Sequence, residues 1–255
     1  MFNPVELTNR RYLISGAASG IGRATAVYLA KLGANLLLVD KSEEQLKATQ
    51  DLCLAESSVS VAFPIDVTDS NIMKTAIITD VEHNGKINGM VHCAGLPYIA
   101  PLKVVSRDTA MNVYSVNAYA GLEMAKIFIL KNVYAGESGS IVFISSVYGI
   151  VGSAANVGYS MTKGAIQSAT KSLAIELAPK KIRVNCIAPG FIKTEMADQI
   201  NNNFGADYDK HIEDLHPLGW GQPNDVAAGI AYLLSDMSKW VTGAIISIDG
   251  GFTAQ

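Results

Sequence analysis

Tyr159 and Lys163 stand at positions i and i+4 in Tyr159-Ser160-Met161-Thr162-Lys163, and a Ser145-Ser146 pair lies upstream at the end of an apolar, β-type stretch. On a helix, such positions share one face, so an ammonium can sit beside a phenol and favour its ionised form. A free tyrosine titrates near ~10 and a free lysine near ~10.4, so neither is a useful acid or base at neutral pH until its surroundings shift it. Together they outline a proton-transfer site. Taken alone, the pair would read as two ordinary helix-surface residues, and the case for chemistry rests on what accompanies it.

The first accompaniment is a glycine-rich turn. An apolar strand runs into Ser15-Gly16-Ala17-Ala18-Ser19-Gly20-Ile21-Gly22-Arg23, and an amphipathic helix follows directly. Glycines at 16, 20 and 22 permit a tight turn and let backbone N–H groups approach a pyrophosphate at the helix N-terminus, where the helix dipole favours negative charge. The second strand ends in Asp40, whose carboxylate can accept the ribose hydroxyls of adenosine and would repel a 2′-phosphate. Ser19 occupies the position where an arginine could compensate, so NAD is favoured over NADP, although Lys41 next door could pair with a phosphate. Asp40 could also serve in part as a cap for the helix near Ser42, which is the better placed cap. Asp66-Val67 follows the third strand where an adenine ring would lie, and Ala94-Gly95 after the fourth lets the chain pass close to a flat ring or ribose.

These motifs need a scaffold that gathers strand ends. Strand-like runs recur at 12–15, 36–40, 59–64, 89–93, 141–145, 183–188 and 244–248. Helical patterns at 22–32, 42–54, 70–83, 110–130, 159–177 and 223–235 alternate with them. Strands apolar on both faces in this rhythm predict an α/β fold, a Rossmann-type doubly wound parallel sheet of about seven strands with helices on both faces. Ligands of such sheets bind beyond the carboxyl ends of the strands, where the motifs fall. The 255 residues, 49% hydrophobic and 17% charged, suit a single domain over 1–255. The polar, irregular stretch 193–221 reads either as a lid over a pocket or as a tolerated surface insertion.

Composition narrows the function classes. Net charge is −3 and Lys180-Lys181-Ile182-Arg183 is the one basic cluster, so no face for nucleic acid is expected. The start lacks the layout of a secretory signal and no apolar run is long enough to span a bilayer, so no membrane association and a cytoplasmic location are expected. Cys53, Cys93 and Cys186 sit among apolar neighbours, and the four histidines form no ligand spacing, so neither disulfides nor a metal site is expected.

The Ser15-Gly16-x-x-x-Gly20-x-Gly22 loop, Ala94-Gly95, Asn117, Ser146, Tyr159-x-x-x-Lys163, Pro189-Gly190 and Ile248-Asp249-Gly250-Gly251 resemble, in order and spacing, the compact branch of the short-chain dehydrogenase/reductases. The chain is most similar in character to 3-oxoacyl-carrier-protein reductase-like members, and the resemblance spans nearly its whole length. It implies an oxidoreductase that moves a hydride between NAD(H) and a secondary alcohol or ketone. Tyr159 would be the general acid/base, and Lys163, aided by the oxidised nicotinamide, would lower the phenol pKa and hold the nicotinamide ribose. Ser146 would orient the substrate oxygen, and Asn117, an amide within an apolar helix, would hold a proton-relaying water. Ser15, Gly16, Ser19, Gly20, Ile21, Gly22, Asp40, Asp66, Val67, Ala94, Gly95, Pro189, Gly190, Ile192 and Thr194 would join Tyr159 and Lys163 around the cofactor. Tyr148, Val151, Met196, Phe204 and Tyr208 would wall the substrate with Ser146 and Tyr159. Relatives pair subunits through the helices carrying Asn117 and Tyr159, which implies a homotetramer or a dimer.

Three departures from the family pattern stand out. Ser15 replaces a threonine. His92-Cys93 replaces a doubled asparagine whose amides brace the central strands, leaving the brace unassigned. Pro217-Leu218-Gly219-Trp220-Gly221-Gln222-Pro223 is one residue short and lacks an arginine, so lid geometry should differ. Two alternatives stay open: an NADPH-dependent 3-oxoacyl-carrier-protein reductase of fatty-acid synthesis, disfavoured by Asp40 and the sparse positive charge, and a non-catalytic dinucleotide-binding redox sensor, disfavoured by the complete catalytic group.

Overall fold

A computed structural model of the protein describes residues 5–56, 58–198, 210 and 212–255. Seven strands form one parallel sheet: β1 (Arg11–Ser15), β2 (Asn35–Asp40), β3 (Ser60–Pro64), β4 (Gly89–His92), β5 (Gly139–Ile144), β6 (Ile182–Pro189) and β7 (Ile245–Ile248), in the order β3-β2-β1-β4-β5-β6-β7. The order reverses between β1 and β4, where Ser15 pairs with His92 in register. At that point the chain leaves neighbouring strands toward opposite faces and opens a crevice at their carboxyl ends.

The strands are apolar throughout because both faces are covered, and the period of two sorts their side chains into two cores. Leu13, Leu37, Met90, Ile141, Phe143 and Val184 face one way, onto helices α3 (Ser70–Asn84), α5 (Ala120–Phe128) and α6 (Val157–Leu177). Ile14, Leu36, Leu38, Val91, Val142 and Ile187 face the other, onto α1 (Gly20–Lys31), α2 (Glu43–Ala55) and α7 (Pro223–Leu234). Each such fully buried aliphatic side chain contributes about 1.5–3 kcal/mol. At the amino end of the sheet, opposite the crevice, Arg11 pairs with Asp80 at 2.5 Å with both side chains buried. Arg11 also donates to the Gly85 carbonyl at 2.9 Å. Among the described residues, no helix is long and apolar enough to cross a membrane.

Expected strand and helix limits agree with the observed ones within a few residues, with one exception. The pattern over 110–130 predicts a single helix, but the chain forms α4 (Arg107–Tyr114), a π-helical turn at Ser115–Tyr119, and then α5. The wider turn is centred on Asn117, whose amide is fully engaged outside the helix. A polar side chain with partners elsewhere is a recognised cause of such an irregularity.

Candidate active site

The Ser145-Ser146 pair divides at the end of β5. Ser145 is buried and structural: its hydroxyl donates to the Lys163 carbonyl at 2.9 Å and accepts from Gln167 Nε2 at 2.9 Å, pinning the strand end to α6. Ser146, the next residue and so on the other side of the chain, lines a cavity and accepts from Tyr148 N at 3.2 Å. Its hydroxyl faces the Tyr159 phenol and acts to lower the phenol pKa. The first turns of α6 present Tyr159 and Lys163 to the same cavity.

The relation between phenol and ammonium differs from the sequence expectation. Lys163 Nζ lies 5.5 Å from the centre of the Tyr159 ring and donates to the Ile144 carbonyl at 2.9 Å. Burial pushes the phenol up to about 12, opposed by the neighbouring Ser146 hydroxyl, and burial pulls Lys163 down to about 8. In the protein alone, desolvation outweighs any lowering of the phenol by the lysine.

Asn117 is wholly buried beneath this group. Its Oδ1 accepts from Leu96 N at 2.7 Å, and its Nδ2 donates to the Leu96 carbonyl at 3.0 Å and Thr162 Oγ1 at 3.1 Å. Both amide protons are therefore committed to bracing the loop after β4 and the start of α6. A Cβ on Gly95 would lie 3.5 Å from Asn117 Oδ1 and 3.6 Å from Lys163 Nζ, so the Ala94-Gly95 turn runs within van der Waals reach of both.

Ser15 and His92 tie the two strands at the sheet's reversal. His92 Nε2 lies 3.0 Å from the Val116 carbonyl, which can only accept, so Nε2 carries the proton. Nδ1 is then the acceptor for the Ser15 hydroxyl at 2.8 Å, and that oxygen faces Ala94 N at 3.5 Å. The histidine thus supplies the brace that the sequence left unassigned, joining β1, β4 and the π-helical turn. Burial, with the positive Lys163 nearby, pulls its pKa down to about 4.

The glycine loop has the shape of a phosphate cradle. Gly16 has φ +67°, and a Cβ there would stand 2.6 Å from Ala94 N, while one at Gly22 would overlap the Gly16 carbonyl. Asp40 Oδ2 accepts from Ala18 N at 3.1 Å and Oδ1 from Ser42 N at 3.0 Å, so it braces the loop while each oxygen keeps a further lone pair. Asp66 is held by the Thr68 amide and hydroxyl at 2.9 and 2.7 Å, and the same two bonds, with Lys41 assisting, lower its pKa. An unexpected partner is Glu195: its Oε2 accepts from Gly20 N at 3.0 Å, and its Oε1 lies 3.3 Å from Arg23 NH1. An anionic oxygen thus already stands at the N-terminus of α1. Its presence fits that amide for a phosphate and supports the cradle as a dinucleotide seat.

A cavity of ≈ 160 Å³ brings much of the expected set together. Ser146, Tyr148, Tyr159, Lys163 and Met196 line it with Ile21, Gly95, Pro189, Gly190, Ile192 and Thr194. Val151 is not among its lining residues. Ser15, Gly16, Ser19, Gly22, Asp40, Asp66, Val67, Ala94 and Asn117 lie outside the cavity, along the crevice or behind it. Phe204 and Tyr208 lie outside the described residues.

The segment 193–221 is closed at its base. Lys193 N donates to the Gly221 carbonyl at 2.9 Å and Gly221 N to the Phe191 carbonyl at 3.1 Å. His216 reinforces the junction: Nδ1 donates to the Ile212 carbonyl at 2.7 Å and Nε2 accepts from Phe191 N at 3.2 Å. Its ring stacks on Phe252 at 4.9 Å. Leu218 N donates to the Gly250 carbonyl at 3.0 Å, so the shortened Pro217–Pro223 stretch is anchored on the Asp249-Gly250-Gly251 turn.

The family model described as enoyl-(acyl carrier protein) reductase matches residues 16–253. The chain is 34% identical to the 3-oxoacyl-[acyl-carrier-protein] reductase of Thermotoga maritima, covering 97% of this chain and 99% of that protein. Carveol dehydrogenase from Mycobacterium avium, solved with NAD, is 28% identical with a TM-score of 0.93 over 98% of this chain and 99% of its own. A protein of Agrobacterium tumefaciens provisionally named a 2-deoxy-d-gluconate 3-dehydrogenase, solved with NADP, is 30% identical with a TM-score of 0.89 over 100% of both chains.

Proposed function

The chain belongs to the short-chain dehydrogenase/reductase family and is an oxidoreductase of the NAD(P)-dependent kind, and on that premise we propose how its residues divide the work. The substrate is a secondary alcohol or its ketone, bound with its oxygen between the hydroxyls of Ser146 and Tyr159. When bound, the dinucleotide supplies the redox chemistry, accepting the carbinol hydrogen with its electron pair in oxidation and returning it in reduction. Tyr159 takes the hydroxyl proton as the ketone forms and gives it back to the carbonyl oxygen in the reverse direction. Atoms balance as alcohol and oxidised cofactor giving ketone, reduced cofactor and one proton.

Ser146 is held by Tyr148 N as an acceptor, which leaves its own proton for the substrate oxygen or the phenol. Lys163 holds the nicotinamide ribose beside Gly95, and Asn117 fixes the loop against which that ribose rests. Ser15, Gly16, Ser19, Gly20, Ile21 and Gly22 receive the pyrophosphate, with Asp66 and Val67 at the adenine and Pro189, Gly190, Ile192 and Thr194 at the nicotinamide. NAD is the preferred cofactor, because Asp40 offers free lone pairs to ribose hydroxyls and negative charge to a 2′-phosphate. Lys41, next in the chain, tempers this preference. One domain carries both functions. The exposed apolar side chains of Met111, Tyr119, Met161 and Ile175 on α4 to α6 support pairing into a homotetramer.

The observation that carries this reading is the meeting of the Ser146 and Tyr159 hydroxyls in one cavity with the strand-end residues Gly95, Pro189 and Gly190. Replacing Tyr159 with Phe tests it. Turnover should fall by at least about 10²-fold, the low end for general acid–base catalysis, while the Kd for reduced cofactor stays within about twofold. Turnover near the starting level would refute the assignment.

A further inference from the structure

Resting on that reading, we infer that the substrate is an uncharged secondary alcohol or ketone borne on an apolar ring, rather than a hydroxy acid or a carrier-bound acyl chain. The substrate side of the cavity is built from Pro97, Tyr98, Ile99, Tyr148, Phe191 and Met196. The polar atoms of this wall are largely engaged already. The Tyr148 hydroxyl is turned toward Ser153, the Tyr98 hydroxyl accepts from Ser106 N at 3.3 Å, and Asn156 Nδ2 donates to Ser153 Oγ at 3.0 Å. The hydroxyls of Ser146 and Tyr159 then serve one substrate oxygen, and most of the remaining surface is carbon.

Charge points the same way. Among the described residues lining the cavity, Lys163 is the one charged group, and its ammonium is bonded to the Ile144 carbonyl on the cofactor side. Beside the cavity, between Thr194 and Met196, Glu195 adds a negative charge. Among the described residues of the substrate wall, a carboxylate or phosphate would therefore find no side-chain cation to replace its lost water, a costly exchange. An apolar ring gives up nothing of the kind.

Shape narrows the class further. Tyr148 meets Phe191 edge-on with ring centres 5.8 Å apart, and Phe252 edge-on at 6.2 Å. Phe191 is backed in turn by Trp220 at 6.0 Å and His216 at 5.5 Å. This wall of edge-on rings is braced from behind, and a rigid aromatic surface favours packing against a compact ring over a flexible chain. The cavity of ≈ 160 Å³ must also admit the nicotinamide end at Gly190 and Thr194, so what remains suits a compact group.

The test uses the full-length protein and two tertiary alcohols that have no carbinol hydrogen and so cannot be oxidised. With saturating NAD, 1-methylcyclohexanol should raise the melting temperature, and 2-hydroxy-2-methylpropanoate at equal concentration should not. In parallel, kcat/KM for cyclohexanol should exceed that for 3-hydroxybutyrate and for 2-propanol by at least about tenfold, the lower end of what apolar pockets discriminate. Tyr148→Ala should lose the ring preference. Equal or stronger binding of the acid, no shift with the ring alcohol, or faster turnover of a 3-hydroxybutyryl group on an acyl carrier protein would overturn the inference. Because the binding comparison needs no turnover, it stands or falls separately from Tyr159→Phe, which judges the catalytic reading alone.

Discussion

His92 sets a stability against pH that can be worked out from its two hydrogen bonds. It is buried, donates from Nε2 to Val116 and accepts at Nδ1 from Ser15. A second proton would sit on Nδ1 and remove that acceptor. Its pKa accordingly falls from 6.5 to about 4 on folding, chiefly through burial. Between those values the unfolded chain binds a proton that the folded chain refuses, so stability rises with pH. The contribution is complete above about pH 6.5 and disappears as pH drops through about 4. At about 1.4 kcal/mol per pH unit, the gap is worth about 3 kcal/mol. The perturbation is His92→Gln, whose amide can still donate to Val116 and accept from Ser15 but does not titrate in this range. Urea unfolding of both proteins at matched concentration, from pH 7 to pH 4, should show the wild type losing about 3 kcal/mol more than the variant. In thermal melts this is about 6–12 °C at ~2–4 °C per kcal/mol. Parallel pH curves for the two proteins would refute the hydrogen-bond assignment and the neutral tautomer drawn from it.

Asp80→Ala strands Arg11 in a buried site and should cost about 3–5 kcal/mol of stability, read by urea unfolding, with the Kd for reduced cofactor unchanged because the pair lies at the far end of the sheet. Asp40→Asn keeps a bracing oxygen but removes the charge. The ratio of NADP to NAD dissociation constants, measured by fluorescence of the reduced forms, should then fall by about tenfold, consistent with ~1.5–3 kcal/mol for a hydrogen bond to a charged group. Glu195→Gln removes the anion that competes at Gly20 N, and dinucleotide affinity should rise about two- to fivefold, from the ~0.3–1 kcal/mol of a charge at a helix N-terminus. Weaker binding in that variant would show that Glu195 supports the cofactor rather than excluding it.

What could be read from the sequence depended on whether a property is local. Strand faces obey a period of two, so Leu13 and Ile14 announce two cores without knowledge of what covers them. Tyr159 and Lys163 sit one helical turn apart and must share a face. The π-helical turn at Asn117 could not be read, because its cause is the carbonyl and amide of Leu96, brought near only by the fold. The brace provided by His92 is hidden for the same reason: Ser15 and Val116 are remote in sequence and meet only at the sheet's reversal. Glu195 and Gln167 carry no motif at all. The division between Ser145 and Ser146 had a signal, since adjacent strand-end residues point to opposite sides, but which hydroxyl is committed to helix bracing follows from where α6 packs.

The phenol and the lysine show why cofactor and proton chemistry are linked in this site. Were the catalytic pKa set by the protein alone, Tyr159 would already be lowered, yet burial holds it at about 12 and draws Lys163 to about 8. Both shifts have one origin, the exclusion of water from the space around Ser146 and Ile144, and each disfavours the charged form. The same low polarity magnifies any charge introduced later. A positively charged ring against Gly95 and Gly190 would therefore act on the phenol far more strongly than it could in water, favouring the phenolate at the moment an alcohol has a proton to surrender. It would also oppose the lysine's charge, so the carbonyl of Ile144, fixed 2.9 Å from Nζ, has a purpose beyond packing: it helps keep the ammonium protonated beside that ring. The dry wall that selects an uncharged substrate and the electrostatics that activate the tyrosine are then consequences of one arrangement.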